Sequence, residues 1–265
     1  MPVDSPAAFG RIDPGALAPR ASSFGGQAAA YARERPGYPA DAVRWALEPV
    51  SGGTPPRLLD LGAGTGKLTE VLVRQAGGAS AVVAVEPDPA MLGELRRALP
   101  EVRSLPGSAE EIPLPDGSVD AVLVGQAMHW FDLDRALPEM RRVLAPGGML
   151  AGLWNLDDDR VPWVRGLKET AASTVSLQGW RSPAATLEGR GLLGVEQAEF
   201  AHGQRRTAAS MAATIGTHSH VLTMPGAERA ELMDRIRAYL DSTPETSDGE
   251  FELPIVTVAV RARIR

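Results

Sequence analysis

Short apolar runs alternate with amphipathic segments through residues 57–155, and this alternation restricts the chain to a small set of folds. The runs are rich in valine and leucine without polar alternation, which is typical of strands buried on both faces of a parallel sheet. The segments between them repeat apolar residues at helical spacing. Strands are predicted at residues 58–61, 81–85, 102–105, 119–124 and 149–154. Strands and helices that alternate over short connections predict an α/β fold with a right-handedly wound parallel sheet.

The regions on either side of this core are organised differently. Residues 1–26 mix Pro, Ala, Gly and Ser without an apolar period, which predicts a flexible N-terminal tail. Residues 27–50 have a helical pattern that two prolines interrupt. Further strands are predicted near residues 195–201 and at 254–264, and further helices at 208–216 and 226–240. We therefore expect a single domain over residues 27–265.

Composition and charge exclude several classes of function. The chain contains no cysteine, which rules out disulfides, thiolate metal ligands and a cysteine nucleophile, and which agrees with a cytoplasmic location. The formal net charge of −6 argues against a general nucleic-acid partner. No stretch approaches the roughly 18 apolar residues of a membrane span, so no membrane partner is expected. Arg261, Arg263 and Arg265 alternate along the last predicted strand, which predicts a solvated face.

A glycine-rich loop, Gly62–Gly66, joins the first predicted strand to a helix. Glycines permit a tight turn and a close approach of a ligand to the backbone, and we expect free amides at the helix start to form an electropositive cradle. Glu86 follows the second predicted strand, where a carboxylate accepts hydrogen bonds from both hydroxyls of a ribose. Loop and carboxylate together predict an adenosine-like ligand at the switch point of the sheet.

The spacing of the glycines discriminates between ligands. A dinucleotide loop of the type G-x-G-x-x-G beginning at Gly62 has Gly or Ala at position 67, where this chain has Lys67. A mononucleotide P-loop has Ser or Thr after Gly66-Lys67, where this chain has Leu68. The loop of this chain therefore fits neither the dinucleotide pattern nor the mononucleotide pattern. A nicotinamide-dependent oxidoreductase nevertheless shares the fold type and the ribose carboxylate, and it stays an alternative.

Five motifs follow one another in an order that resembles class I S-adenosylmethionine-dependent methyltransferases, and in particular the bacterial small-molecule branch related to ubiquinone-biosynthesis and trans-aconitate methyltransferases. The motifs are residues 58–66, 86–87, 107–110, 113–120 and 144–149. The resemblance implies a Rossmann-like doubly wound sheet of seven strands, with the last strand antiparallel and helices on both faces. It also implies a helical cap at 27–50, a cofactor-binding core at 57–155, and acceptor or lid insertions within 156–190 and 205–245.

The resemblance further implies a site for S-adenosyl-L-methionine and its product S-adenosyl-L-homocysteine. No metal site is expected, because His218 and His220 are two residues apart, which is not the spacing of a helical metal pair. The residues expected to hold this cofactor are Asp60, Gly62, Ala63, Gly64, Glu86, Pro87, Met91, Ser108, Ala109, Glu110, Gln126 and Trp130. The residues expected near the acceptor are Tyr31, Arg35, Asn155 and Trp163. His129 is the candidate general base, because an unperturbed imidazole titrates near pH 6.5, and a structural role in the pocket wall is the alternative for it.

The predicted reaction is methyl transfer to an O, N or C atom of a small organic acceptor, a natural product or metabolite. A protein that binds S-adenosylmethionine without turnover is a further alternative. A nucleic-acid methyltransferase is disfavoured, because the base-modifying branch carries a Pro-Pro-aromatic stretch after the fourth strand, where this chain has Gln126-Ala127-Met128. A homo-oligomer is compatible with the sequence.

Overall fold

The computed structural model describes residues 35–52, 55–171, 190–216 and 224–264, together with the single positions 184, 187 and 221. The predicted tail at 1–26 and the first part of the predicted helical cap lie outside the described residues. Tyr31 and Arg265 also lie outside them. The acceptor role of Tyr31 therefore stays a prediction.

The strands form one seven-stranded sheet in the order β3-β2-β1-β4-β5-β7-β6. They are β1 (Leu58–Leu61), β2 (Val82–Glu86), β3 (Arg103–Pro106), β4 (Val119–Gly125), β5 (Leu144–Asp157), β6 (Leu192–Thr207) and β7 (Glu250–Ile264). β1 pairs in parallel with β2 on one side and with β4 on the other. The strand order reverses between β1 and β4, and open α/β sheets bind ligands beyond the carboxyl ends of the strands at this point. The last strand, β7, is antiparallel, as predicted.

Helices connect the strands and lie on both faces of the sheet, as predicted. They are α1 (Ala40–Leu47), α2 (Lys67–Gln75), α3 (Pro89–Ala98), α4 (Leu133–Val143), α5 (Pro162–Thr170), α6 (Ala208–Gly216) and α7 (Gly226–Ser242), with 3₁₀ turns at Glu48–Val50, Ala79–Ala81 and Met128–Trp130. The Asp88 side chain caps α3 by accepting hydrogen bonds from two backbone amides, and Pro89 begins the first turn. Within the described residues, no helix combines the length and apolar character needed to cross a membrane.

The chain divides into two compact units. The first comprises residues 1–155, 181–200 and 257–265, and the second comprises residues 156–180 and 201–256. Three of the boundaries fall inside β5, β6 and β7, each of which begins in one unit and ends in the other. The predicted domain limits of 27–265 stay a prediction.

The core of the first unit is built from the two sheet-packing helices α1 and α2 and from the central strands. Val43 of α1 and Leu72 of α2 are buried together with Leu58, Leu123 and Leu153 of three strands. All four residues of β1 are buried, as expected for a parallel strand covered on both faces. The second unit has a core of its own, in which α5, α6 and α7 pack around Trp163 and Phe251.

Arg261 corrects the prediction of a solvated arginine face on the last strand. Its guanidinium lies 4.2 Å from the centroid of the Trp45 ring and forms ion pairs with Glu48 (2.9 Å) and Glu196 (2.6 Å). Only 12% of the Arg261 side chain is exposed, whereas Arg263 is exposed. The alternation of side chains along the strand predicts which residues share a face. It does not predict that Trp45 of α1 and Glu196 of β6 cover Arg261.

We expect Arg261→Ala to lower the free energy of unfolding by about 2 kcal/mol, because it removes a cation–π contact and several charge-assisted hydrogen bonds. Arg263→Ala is the matched control on the same strand, and it should change the free energy of unfolding by less than about 0.5 kcal/mol. Urea denaturation of both variants measures the difference. Equal losses in the two variants would contradict a stabilising role for Arg261.

Candidate functional site

The loop Gly62–Gly66 connects β1 to α2, and its three glycines lie in the left-handed backbone region. At Gly62, where φ is +70°, an added Cβ would lie 2.7 Å from the Cβ of Ala127, so a larger residue does not fit. At Gly64, the nearest atom to an added Cβ would be the Sδ of Met91, at 3.9 Å. The loop is therefore packed against the protein at Gly62 and open at Gly64, where a ligand can approach the backbone.

Three backbone amides of this loop, which precede the start of α2, donate hydrogen bonds to the end of β2. Those of Gly62 and Ala63 donate to the carbonyl of Val85 (2.9 and 3.1 Å). The amide of Gly64 donates to Oε2 of Glu86 (2.8 Å). The end of β2 therefore holds the loop in place and uses these three donors. A loop of this kind does not depend on an anion for its stability, in contrast to a phosphate-binding loop.

Glu86 is buried at the carboxyl end of β2, with 6% of the residue exposed. In addition to the Gly64 amide at Oε2, its Oε1 accepts a hydrogen bond from the amide of Asp88 (2.9 Å). Burial raises the pKa of Glu86, and the two amides counteract that rise. Each carboxylate oxygen can accept a further hydrogen bond, so both retain capacity for the hydroxyls of a ligand.

Asp60 is fully buried in β1. Its Oδ2 accepts a hydrogen bond from the hydroxyl of Thr69 (2.5 Å), whereas its Oδ1 has no partner among the described residues. Burial raises the pKa of Asp60 to about 7, and the charge of Glu86 contributes to the rise. A buried carboxylate is unfavourable unless it is paired. The free oxygen of Asp60 is therefore suited to a cationic group or a hydrogen-bond donor of a ligand.

The turn after β3 carries the predicted residues Ser108, Ala109 and Glu110. Pro106 of β3 pairs in register with Glu86 of β2, so this turn begins at the same edge of the sheet as Glu86. Ser108 is half-buried and Ala109 is buried. Glu110 accepts a hydrogen bond from the backbone amide at the start of α4 (2.9 Å), so one of its oxygens holds that turn.

Pro87 and Met91 lie on the segment that leaves β2. Pro87 is exposed directly after the buried Glu86, and Met91 is buried in the first turn of α3. The sulfur of Met91 faces Gly64, across the open side of the loop. The structure therefore brings Met91, Glu86 and the loop together, as the sequence predicts.

Gln126, directly after β4, is the one non-glycine residue with positive φ in the described part of the chain, at +57°. This conformation costs about 1–2 kcal/mol for a residue with a Cβ. Its backbone amide donates to the carbonyl of Leu153 (2.9 Å), and its Nε2 donates to the carbonyl of Asn155 (2.8 Å). Backbone strain of this kind is concentrated at functional sites. No sequence pattern indicates this strain.

His129 and Trp130 lie in the 3₁₀ turn after β4, with their ring centroids 4.9 Å apart. Burial and, to a smaller extent, the positive charge of Arg35 lower the pKa of His129 to about 4. His129 is therefore neutral at pH 7, and it is a weaker base than an unperturbed histidine. The structure brings Arg35 within electrostatic reach of His129, two residues that the sequence predicts independently.

Asn155 and Trp163, the other described residues predicted to contact the acceptor, are held by the protein itself. The Nδ2 of Asn155 donates to the carbonyl of Gly37 (2.9 Å), and its Oδ1 accepts from the hydroxyl of Thr257 (2.5 Å). Trp163 is 7% exposed in the core of the second unit, where its carbonyl accepts from the hydroxyl of Tyr239 (2.8 Å). These contacts favour structural roles for both side chains over direct contact with an acceptor.

Tyr38 lies between Arg35 and the start of α1 and approaches the end of β4. A Cβ added to Gly125 would lie 2.6 Å from the hydroxyl oxygen of Tyr38, so glycine at the end of β4 allows the ring to approach the backbone. The approach of Tyr38 to Gly125 depends on the tertiary structure, because the two residues are far apart along the chain.

Acidic residues after β5 are paired with cations. Asp158 pairs with Arg160 (2.7 Å), and Asp159 pairs with Lys168 (3.6 Å). Across the residues that the structure describes, no group of three or more His, Asp or Glu side chains is arranged to hold a metal ion.

Comparisons with known proteins agree on one family. A family model described as a methyltransferase domain matches residues 59–152. An uncharacterized methyltransferase of Mycobacterium tuberculosis is 42% identical over 250 residues, which cover 91% of this chain and 96% of that protein. A solved structure from Anaeromyxobacter dehalogenans, proposed to be a type II methyltransferase, is 27% identical, covers 87% of this chain and 97% of its own, and has a TM-score of 0.62. A demethylmenaquinone methyltransferase of Thermus thermophilus is 44% identical over 117 residues, 42% of this chain and 51% of that protein.

Proposed function

Because the chain belongs to the class I S-adenosylmethionine-dependent methyltransferases, we propose that it transfers the methyl group of S-adenosylmethionine to an O, N or C atom of a small organic acceptor. S-adenosylhomocysteine is the expected second product. The observation that carries the proposal is the buried Glu86, which holds the glycine loop by one oxygen and retains acceptor capacity at both.

The residues around the loop fit this cofactor. Glu86 would accept hydrogen bonds from the ribose hydroxyls, and the partnerless Oδ1 of Asp60 suits the ammonium group of the methionine part. Gly64 leaves the loop open to a ligand. When bound, S-adenosylmethionine supplies a methyl group activated by its sulfonium, and the electron pair of the breaking carbon–sulfur bond returns to sulfur. The cofactor carries no phosphate, which agrees with loop amides that already bond to the protein.

The protein contributes mainly alignment and exclusion of water. Holding two reactants in line supplies roughly 7–11 kcal/mol of the barrier. Gln126, fixed by two hydrogen bonds at the end of β4, is the residue that we expect to position the methionine part. Trp130 presents an aromatic ring next to His129, and an aromatic face beside a sulfonium stabilises it by about 0.5–2 kcal/mol.

Phenols and carboxylates are the acceptors that we propose to test first. A phenol loses a proton on methylation, and neutral His129 can accept it. Arg35, whose charge acts on His129, favours acceptors with an anionic group. The partial match to a demethylmenaquinone methyltransferase supports including quinone-like phenols in the first panel.

We expect His129→Asn to lower kcat for a phenol by about 100-fold, because the general base is removed. The Kd of S-adenosylmethionine should change by less than about threefold, and a carboxylate acceptor, which is already deprotonated, should be methylated at nearly the wild-type rate. Wild-type kcat should be flat above about pH 6, since a histidine with a pKa of about 4 is already neutral there. An unchanged kcat with saturating phenol would contradict the base role, and His202→Asn is the control.

Two alternatives make different predictions about ligands. A nicotinamide-dependent oxidoreductase would bind NADH, and the comparisons favour a methyltransferase over it. A protein that only binds S-adenosylmethionine would bind the adenosyl ligands without methylating any acceptor.

The net charge of −6 supports a small-molecule acceptor over a nucleic acid. A cytoplasmic location and a homo-oligomer stay proposals.

Calorimetric titration of the protein with S-adenosylmethionine, S-adenosylhomocysteine and NADH tests the cofactor class. We expect micromolar binding of both adenosyl ligands and no binding of NADH. Mass spectrometry of a panel of phenols and carboxylates then tests turnover, with a gain of one methyl group as the expected result. Binding of NADH alone would contradict the proposal. Tight adenosyl binding without turnover on any acceptor would favour the non-catalytic alternative.

A further inference from the structure

We propose that Asn155 is a positioning residue that holds the segment 35–38 at the carboxyl ends of β4 and β5, and so sets the acceptor side of the site. The inference rests on the proposed function and concerns how the same site is assembled. It reassigns Asn155 from direct acceptor contact to a role exerted through other residues.

Asn155 joins three separate parts of the first unit. Its Nδ2 donates to the carbonyl of Gly37 (2.9 Å), with the carbonyl of Pro36 at 3.5 Å. Its Oδ1 accepts from the hydroxyl of Thr257 on β7 (2.5 Å). Its backbone carbonyl accepts from Nε2 of Gln126 after β4 (2.8 Å). One residue thus links the N-terminal segment, β7 and the strained end of β4.

The contacts require both a donor and an acceptor on the Asn155 side chain. The carbonyls of Gly37 and Pro36 only accept hydrogen bonds, so the group facing them must donate. Thr257 is fully buried, and its hydroxyl donates to the other end of the amide. Aspartate has the same shape but no donor when ionised, and leucine has neither donor nor acceptor. Asparagine is therefore chemically specific at this position.

The segment that Asn155 holds carries groups that act on the site. Tyr38 lies against Gly125, at the end of β4. Arg35 places its charge within reach of His129. By contrast, the amide of Gly64 and the carboxylate of Glu86 bond to each other at the end of β2. Loss of the Asn155 bond to the segment should therefore affect the acceptor more than the methyl donor.

Asn155→Asp tests this inference with little change of shape. The variant keeps the oxygen that accepts from Thr257 and the backbone carbonyl that accepts from Gln126, but it turns a second oxygen toward the carbonyls of Gly37 and Pro36. At about pH 8 we expect kcat/KM for the acceptor to fall at least about 10-fold, because small misplacements at a reacting centre are costly. The Kd of S-adenosylmethionine should change by less than about threefold.

The pH dependence of this variant separates positioning from general destabilisation. A protonated carboxyl regains a donor for the Gly37 carbonyl, and burial beside two carbonyls raises the pKa of a carboxyl group. The deficit of Asn155→Asp relative to wild type should therefore shrink between about pH 8 and about pH 5.5, whereas the deficit of Asn155→Leu should stay constant. Thr257→Val should lower kcat/KM, and Thr257→Ser, which keeps the hydroxyl, should restore it.

Hydrogen exchange at the amides of residues 37 and 38 gives a readout that is independent of methyl transfer. We expect faster exchange in Asn155→Asp than in wild type at about pH 8, after correction for intrinsic rates, and a smaller difference at about pH 5.5. Unchanged exchange, or equal pH-independent deficits in Asn155→Asp and Asn155→Leu, would overturn the inference. Failure of the wild type to bind S-adenosylmethionine would instead overturn the proposed function, and the exchange result would still decide the role of Asn155.

Discussion

Replacing Glu86 by alanine should weaken the binding of S-adenosylmethionine and S-adenosylhomocysteine by about 30- to 1,000-fold. The substitution removes the acceptor of the Gly64 amide, so the loop loses one of its three hydrogen bonds to β2. It also removes the carboxylate that would accept the ribose hydroxyls. Hydrogen bonds to a charged group contribute about 1.5–3 kcal/mol each, and losses of about 2–4 kcal/mol correspond to that range of Kd.

Calorimetric titration of three variants separates the two effects. Glu86→Gln keeps an oxygen acceptor but places an amide group opposite one of the two backbone donors, so it should weaken binding less than Glu86→Ala does. Glu101→Ala is the control, because Glu101 is an exposed carboxylate after α3. Its Kd should equal that of wild type. A Glu86→Ala variant that binds the adenosyl ligands as tightly as wild type would remove the main support for the proposed site.

Replacing Asp60 by asparagine should stabilise the fold at high pH and weaken cofactor binding. The pKa of Asp60 is about 7 in the folded chain and about 4 for an unfolded aspartate, so the folded state holds an extra proton between these values. The free energy of unfolding of wild type therefore falls as pH rises from about 4 to about 7. Asparagine does not ionise, so the variant should be more stable than wild type at pH 8, by on the order of 2 kcal/mol.

Thermal and urea denaturation at about pH 5 and about pH 8 tests this sign. The stability gain of Asp60→Asn should be full at the higher pH and less than half as large at the lower one. Asp120→Asn is the matched control of opposite sign, because hydrogen bonds from Arg57 lower the pKa of Asp120. That variant should be less stable than wild type at pH 8. A loss of stability in Asp60→Asn at pH 8 would contradict this prediction. It would mean that the buried carboxylate has a favourable partner other than Thr69.

The same substitution should lower the affinity for S-adenosylmethionine by about 10-fold or more, because a neutral amide cannot pair with an ammonium group. A gain in stability together with a loss of binding would show that Asp60 lowers the stability of the fold and contributes to the affinity for the ligand. A gain in stability with unchanged affinity would place the ammonium group elsewhere.

Local sequence signals account for most of the secondary structure. The predicted strand at 58–61 and the predicted helix at 208–216 have the observed bounds. Strands β5 and β6 extend beyond the predicted ranges, to Leu144–Asp157 and Leu192–Thr207. Their additional residues lack the apolar pattern on which the prediction depends, and pairing with neighbouring strands extends them.

In the candidate site, too, some features are predicted from the sequence and others depend on the tertiary structure. The glycine loop and Glu86 are found from sequence, because each follows a predicted strand at a fixed distance along the chain. The hydrogen-bond partners of the loop and of Glu86 cannot be found from sequence. The hydrogen bond between Gly64 and Glu86 uses one amide donor of the loop and joins the loop to the end of β2. The low pKa of His129 also depends on its burial and on the positive charge of Arg35. Arg35 lies far from His129 along the chain, so its effect cannot be predicted from local sequence.

The sequence by itself determined the order of strands and helices, the parallel sheet and the place of the cofactor loop, because these depend on periodicity and on turn residues that act over a few positions. Only the tertiary structure decided that Arg261 is covered by Trp45 and that Asn155 holds the carbonyl of Gly37. Both side chains are polar residues whose partners come from distant segments. Their burial and pairing follow from how the strands and helices pack, and local sequence patterns carry no information about that packing.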